Sequence, residues 1–325
     1  MQPNNRVFVI GVGMTKFLKP REGNPDYPEL AKQATLRALR DAGIPYSKVE
    51  QAAVGYCYAD TAAGQRALYT VGITGIPIIN VNNACATGST ALYYAYSVIK
   101  SGQADCTLAL GFDKMAPGSL QTGYTDRANP FGPLIEKMNS IRPDNSKAPF
   151  APKIFGSAGI EHMQKYGTKE SHFAKVAYKN HLHSVNNPYS QFRDKYTLEQ
   201  IEKSPKIFGP LTKLQCCPTS DGAACAVLCS EKFLKENKLE DQAVEICGML
   251  LRTDPPTTYS ANSLMNVAGY DMSKKTAELL YKQTGIKPQD CQVVELHDCF
   301  SANELITYEA IGLCPEGKAG EWIDK

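Results

Sequence analysis

Cys85 is the side chain in this sequence most clearly placed for covalent chemistry. It lies in Ile78-Ile79-Asn80-Val81-Asn82-Asn83-Ala84-Cys85-Ala86-Thr87-Gly88-Ser89, between an apolar strand-like run and a helix of small residues. A thiol at such a turn meets the positive end of the helix dipole, which favours thiolate, the nucleophilic form. An acyl-transfer cysteine would sit here. The alternative is a buried structural cysteine, because a free thiol packs well as a small apolar group.

A second cluster, His297-Asp298-Cys299-Phe300, follows the apolar run Gln292-Val293-Val294-Glu295-Leu296 and precedes Ser301-Ala302-Asn303-Glu304. The last four have the spacing of a capping box that opens a helix. His297 and Cys299 are then on a turn at the carboxyl end of a strand, where ligands gather in α/β sheets. The alternative is a capped turn whose histidine bonds only backbone. If two halves of the chain pack about a pseudo-twofold axis, Cys85 and this turn converge.

Other motifs read as structural. Gly11-Val12-Gly13 follows a first strand, but it lacks the third glycine and helix start of a dinucleotide site, so a flexible turn is expected. Cys216, Cys217, Cys225 and Cys229 include a strand-like run with no nearby histidine, so no zinc or other metal site is expected. His181 and His183 are expected in a loop with satisfied polar side chains, and Asp221 in a turn entering a core strand. The N-terminus shows no secretory h-region, so the 11 cysteines read as reduced and mostly buried.

These groups must be held by a large core. The 325 residues are 43% hydrophobic and 21% charged, as in a soluble globular protein. With 35 basic against 33 acidic residues the net charge is +2, which offers no footprint for nucleic acid. No apolar run is long enough to span a bilayer.

The chain starts one pattern twice. Strand Val7–Val12, helix Tyr27–Ala42, Gly43-Ile44-Pro45 and strand Gln51–Tyr56 are matched by strand Val244–Leu250, helix Met272–Thr284, Gly285-Ile286-Lys287-Pro288 and strand Gln292–Leu296. A glycine after each helix suits the left-handed C′ position, and proline soon after stops the helix. This predicts an α/β protein of duplicated βαβ halves with parallel central strands. The first copy continues through strand Ile76–Val81, helix Gly88–Lys100 and strands Cys106–Gly111 and Cys225–Cys229. The expected division is a first half over 1–114 and 215–235, an inserted loop domain over 115–214, and a second, incomplete half over 236–325.

Asn83-Ala84-Cys85-Ala86-Thr87-Gly88, Asn180-His181 with Asn187-Pro188-Tyr189, Ser220-Asp221-Gly222-Ala223-Ala224 and His297-Asp298-Cys299-Phe300 occur in this order. With them the chain resembles the thiolase superfamily. Cys216-Cys217-Pro218-Thr219 and Tyr308-Glu309-Ala310-Ile311-Gly312-Leu313-Cys314-Pro315 bring it near the sterol carrier protein X branch, the peroxisomal branched-chain 3-oxoacyl-CoA thiolases. The resemblance implies αβαβα layers, a homodimer, acyl-CoA and CoA as substrates, and no cofactor, CoA being a co-substrate. It implies that Cys85 carries the acyl group, that His297 forms an oxyanion hole, and that Cys299 is the acid/base. The region 115–214 would contribute to CoA and acyl binding.

The family's Gly-His-Pro histidine and a glycine-rich loop are not found in these 325 residues, nor is a C-terminal peroxisomal tripeptide. A shortened form is therefore expected, with little thiolysis of its own and with a cytoplasmic location open beside the peroxisome. The alternative functions are an acyl-CoA- or lipid-binding form without catalysis, a partner subunit of a fuller chain, and a condensing enzyme of the ketoacyl-synthase type.

Overall fold

Nearly unbroken apolar runs such as Cys106-Thr107-Leu108-Ala109-Leu110 leave no polar face for solvent, and the chain buries both faces of a sheet accordingly. The computed structural model describes residues 5–116 and 124–325. In chain order the elements begin β1 (Val7–Met14), α1 (Tyr27–Ala42), β2 (Gln51–Gly55), α2 (Ala63–Leu68), β3 (Ile78–Val81), α3 (Thr87–Lys100) and β4 (Cys106–Asp113). Then come α4 (Gly132–Ile141), α5 (Phe150–Tyr166), α6 (Glu170–Ser184), α7 (Leu198–Glu202), β5 (Lys206–Phe208), β6 (Leu211–Thr212), β7 (Gly222–Ser230) and α8 (Glu231–Glu236). The chain continues with β8 (Val244–Glu245), α9 (Thr257–Ser260), α10 (Leu264–Val267), α11 (Tyr270–Thr284), α12 (Ser301–Ala310) and α13 (Ala319–Asp324).

The chain forms two compact units, one over 1–121, 189–191 and 219–251, the other over 122–188, 192–218 and 252–325. The first holds a six-stranded sheet in the order β3-β2-β4-β7-β1-β8. Strand β2 runs parallel to β3 and β4, whereas β7 lies antiparallel between β4 and β1. Phe8, Ile10, Leu108, Leu110 and Val227 pack on one face with Leu30, Ala34 and Ala38 of α1. Val7, Ala109 and Leu228 pack on the other with Ala95, Tyr96 and Ile99 of α3. Each large side chain buried there contributes about 1.5–3 kcal/mol.

Helix α1 has its expected bounds because its ends are written locally. Asp26 accepts the Tyr27 N–H at the start, and Gly43 closes the end at φ 67°. How closely α1 sits is set by Gly11 and Gly13, which lie inside β1 and form no flexible turn. A Cβ at Gly11 would fall 2.5 Å from Ala38 O, and one at Gly13 would meet the backbone of Ala34 and Ala38. The two glycines are a packing seam. Gly11→Ala is expected to cost about 3 kcal/mol, because backbone atoms cannot yield as a side-chain tip can. Urea unfolding measures this, and a loss under about 1 kcal/mol would show that α1 shifts freely.

The second unit is helical apart from the β5–β6 pair. Helix α12 is central to it: Ala302, Leu305, Ile306 and Ala310 are buried with Ala158 of α5, Phe173 and Val176 of α6, and Tyr270 of α11.

Four expectations are corrected. Strand Val244–Leu250 shrinks to Val244–Glu245, because Ile246 already pairs with Val7 and β1 supplies no further partner. Gln292–Leu296 forms no strand, since no neighbour among the described residues offers it a ladder, and Val293 is 80% exposed. His181 and His183 lie in the last turn of α6 and not in a loop, with His181 Nε2 2.9 Å from Leu214 O. Of the cysteines, 106, 225, 229, 299 and 314 are buried, but Cys85, Cys217, Cys247 and Cys291 are exposed.

Candidate active site

Cys85 occupies a single 3-10 turn, Ala84–Ala86, between the carboxyl end of β3 and the start of α3, and it is exposed. Ala84 before it is left-handed at φ 48°, a conformation that costs a residue with a Cβ about 1 kcal/mol or more. Hydrogen bonds hold the turn in place. The Ala84 N–H donates to Asn82 Oδ1 (3.2 Å), and the Asn83 N–H to Thr87 Oγ1 (2.8 Å). Asn83 Nδ2 donates to Thr90 Oγ1 (3.0 Å), and the Cys57 thiol to Ala84 O (3.4 Å).

The first turn of α3 also sits tightly on the sheet. A Cβ at Gly55 would lie 2.7 Å from both Thr87 Cγ2 and Thr87 O. Beside it, Asp113 at the end of β4 accepts the N–H groups of Cys57 (2.8 Å) and Tyr58 (2.9 Å). Burial raises the Asp113 carboxyl pKa, with those two bonds acting against the shift, and burial likewise raises the Cys57 thiol. Cys85 is therefore a reachable thiol on a fixed backbone.

The other predicted residues lie in the second unit. His297 and Cys299 share the turn that leads into α12, with Cys299 buried and His297 exposed. This turn is fastened from both sides. Cys216 forms an antiparallel bridge with Phe300, and the Cys217 N–H donates to Cys299 O at 2.9 Å. The paired cysteines thus serve as backbone partners of the turn. Asn303 Nδ2 donates to His297 O (2.6 Å), and Phe300 stacks on Phe155 of α5 with centroids 5.2 Å apart. Although His297 is exposed, protein packed around its ring lowers its pKa by desolvation, with Asp298 acting oppositely. This favours the neutral imidazole, which keeps one N–H to donate.

The expected capping box does not form: Phe300 is the N-cap, and no side chain caps the helix. Glu304 is instead buried, accepting hydrogen bonds from Lys179, Tyr308 and Asn180. Sequence reasoning missed Cys57, Asp113, Lys179, Glu304 and Tyr308 as neighbours of these turns. Only the Glu304–Tyr308 spacing, i to i+4 on one helix, carried a readable signal.

A mixed sheet with helices on both faces, and an exposed cysteine on a strand-to-helix turn, define an α/β protein that presents a reachable thiol at that turn. The family model described as the thiolase N-terminal domain matches residues 7–232, and that described as thiolase C-terminal domain-like matches 257–325; the chain belongs to the thiolase family. It is 59% identical over 321 residues to "Sterol carrier protein 2" of Gallus gallus, covering 98% of this chain and 58% of that protein. The human "Sterol carrier protein 2" is 54% identical over 322 residues, with 98% and 59% covered. The chain thus spans less than two thirds of these relatives' length. "Benzoylsuccinyl-CoA thiolase subunit BbsB" of Thauera aromatica is 31% identical over 330 residues, covering 99% of this chain and 80% of its own.

Among solved structures, the "Ltp2-ChsH2(DUF35) aldolase" superposes with a TM-score of 0.79 at 22% identity, covering all of this chain and 81% of the other. Human mitochondrial 3-ketoacyl-CoA thiolase in complex with CoA gives 0.71 at 16% identity, with 95% and 83% covered. The fold is the thiolase fold, and the resemblance read from the four motifs holds.

Proposed function

We propose that these 325 residues carry the acyl-transfer site of a thiolase acting on 3-oxoacyl-CoA, with branched-chain acyl groups preferred. Cys85 attacks the C3 carbonyl carbon as the thiolate, and collapse of the adduct breaks the C2–C3 bond. The acyl group stays on sulfur as a thioester. The electron pair passes to C2 and its thioester as the enolate of acetyl- or propanoyl-CoA. The neutral His297 donates its N–H to that enolate oxygen, and Cys299 gives C2 a proton. The Cys299 thiolate takes the proton of the CoA thiol, the CoA sulfur attacks the acyl-Cys85 carbonyl, and the shortened acyl-CoA leaves as the Cys85 thiolate is expelled. The scheme draws on no metal or further cofactor.

The observation that carries this reading is the exposed thiol of Cys85 on its braced turn, next to the left-handed Ala84. The test is intact-mass spectrometry after incubation with a 3-oxoacyl-CoA: an acyl adduct mapped to Cys85, discharged by CoA, is expected. Absence of any adduct at saturating substrate would sink the reading. The family also carries a homodimer, peroxisomal residence and contributions of 115–214 to acyl-CoA binding as parts of this proposal.

A second reading, a carrier that binds acyl-CoA or lipid without turnover, is favoured by the relatives called "Sterol carrier protein 2" and "Non-specific lipid-transfer protein-like 2". Calorimetric binding of acyl-CoA, equal in Cys85→Ser and the unaltered chain and without an adduct in either, would favour it.

A further inference from the structure

A buried carboxylate stands behind the His297–Cys299 turn where the thiolase scheme has no use for one. Glu304 is 3% exposed. Taking a carboxylate out of water is costly unless partners offset it. Lys179 Nζ and Tyr308 OH both donate to its Oε1, while the lysine keeps its own side chain 43% exposed. Tyr308 OH also receives a hydrogen bond from Lys179 at 3.0 Å.

The other carboxylate oxygen points to the turn through a single amide. Asn180 Nδ2 donates to Glu304 Oε2 at 2.5 Å and to Asp298 Oδ2 at 2.9 Å. An amide nitrogen has two hydrogens, so both are committed, one to each carboxyl group. Asp298 is the residue between His297 and Cys299.

We propose that Glu304, with Lys179 and Asn180, is a positioning group that orients Asp298 through the Asn180 amide and thereby places His297 and Cys299. The proposal rests on the thiolase reading for the roles of His297 and Cys299. The charged and titratable groups around Asp298 are Lys179 from α6, Glu304 from α12 and its neighbour His297, with Tyr308 behind Glu304. Although Asp298 is exposed, protein packed around its carboxyl raises its pKa first and Glu304 raises it next, whereas His297 and Lys179 lower it. Glu304 and Lys179 therefore act on Asp298 with opposite signs.

The experiment is carbon NMR of carboxyl-labelled aspartate in the full 325-residue chain, with Asp298 assigned through Asp298→Asn. Glu304→Gln, which keeps the side-chain volume, is expected to move the Asp298 midpoint down by about one pH unit. Lys179→Met is expected to move it up. Asn180→Ala is expected to shift the His297 ring resonances and to lower kcat for thiolysis about tenfold, with KM for CoA unchanged. Asp298 midpoints that stay put in both charge variants, or move the same way, would overturn the proposal. The NMR arm needs no turnover. An unaltered chain that fails to form acyl-Cys85 removes the thiolase reading, yet the opposed midpoint shifts still decide whether Glu304 governs the turn.

Discussion

Cys85→Ala is expected to eliminate the acyl-enzyme and to reduce acyl transfer from 3-oxoacyl-CoA by on the order of 10³-fold or more, with binding of acyl-CoA changed little. The magnitude follows from removing the only atom that forms the covalent bond, since binding and oxyanion stabilisation alone leave a small residual rate. The substitution itself is mild. The side chain is exposed, and the turn is held by Asn82, Asn83, Thr87 and Cys57, none of which bonds the Cys85 sulfur in the hydrogen bonds described. Thermal unfolding of the variant should therefore match that of the unaltered chain. Acyl transfer within threefold of normal in Cys85→Ala would mean that another group carries the acyl chain.

Asp221→Asn is expected to destabilise the first unit by roughly 3 kcal/mol, the cost of leaving donors around a buried carboxylate site unpaired. Asp221 is fully buried, and its two oxygens accept from Asn24 Nδ2 (2.9 Å), Lys114 Nζ (2.9 Å) and the Met115 N–H (2.8 Å). All three partners donate. An asparagine can accept at only one of the two positions, so a donor would face a donor, with Lys114 left uncompensated. Urea unfolding gives the number, and Lys114→Met placed on top of Asp221→Asn should restore part of the loss.

The same residue makes a pH prediction. Burial acts to raise the Asp221 pKa, but the hydrogen bonds from Asn24, Lys114 and Met115 outweigh it, and the folded value lies below the ordinary one. Its stabilisation is therefore complete above the unfolded carboxylate pKa of about 3.9 and is lost as pH falls through the folded value. The unaltered chain should lose stability steeply below about pH 4, and Asp221→Asn should flatten that limb. A loss under 1 kcal/mol at pH 7 with the acid limb unchanged would show that water satisfies the Asp221 partners as well as the carboxylate does.

What could be read from the residues alone was whatever acts over a few positions along the chain. Asp26, Pro28 and Gly43 delimit α1 because capping groups, a preset φ and a left-handed glycine work on adjacent backbone. The place of Cys85 between a strand and a helix was legible for the same reason, as was the order of motifs that identifies the family. Tertiary structure decided the rest, because burial and pairing depend on residues far away in sequence. Gln292–Leu296 has the composition of a strand but no ladder beside it among the described residues, so it forms no strand and Val293 lies in solvent. Gly11-Val12-Gly13 looks like a loop until α1 is laid against it, when only hydrogen fits at two positions. Glu304 has capping-box spacing, yet Lys179 and Asn180, more than a hundred positions earlier, claim its oxygens. A carboxylate goes to whichever donors can neutralise it once water is gone, and the fold chooses those donors.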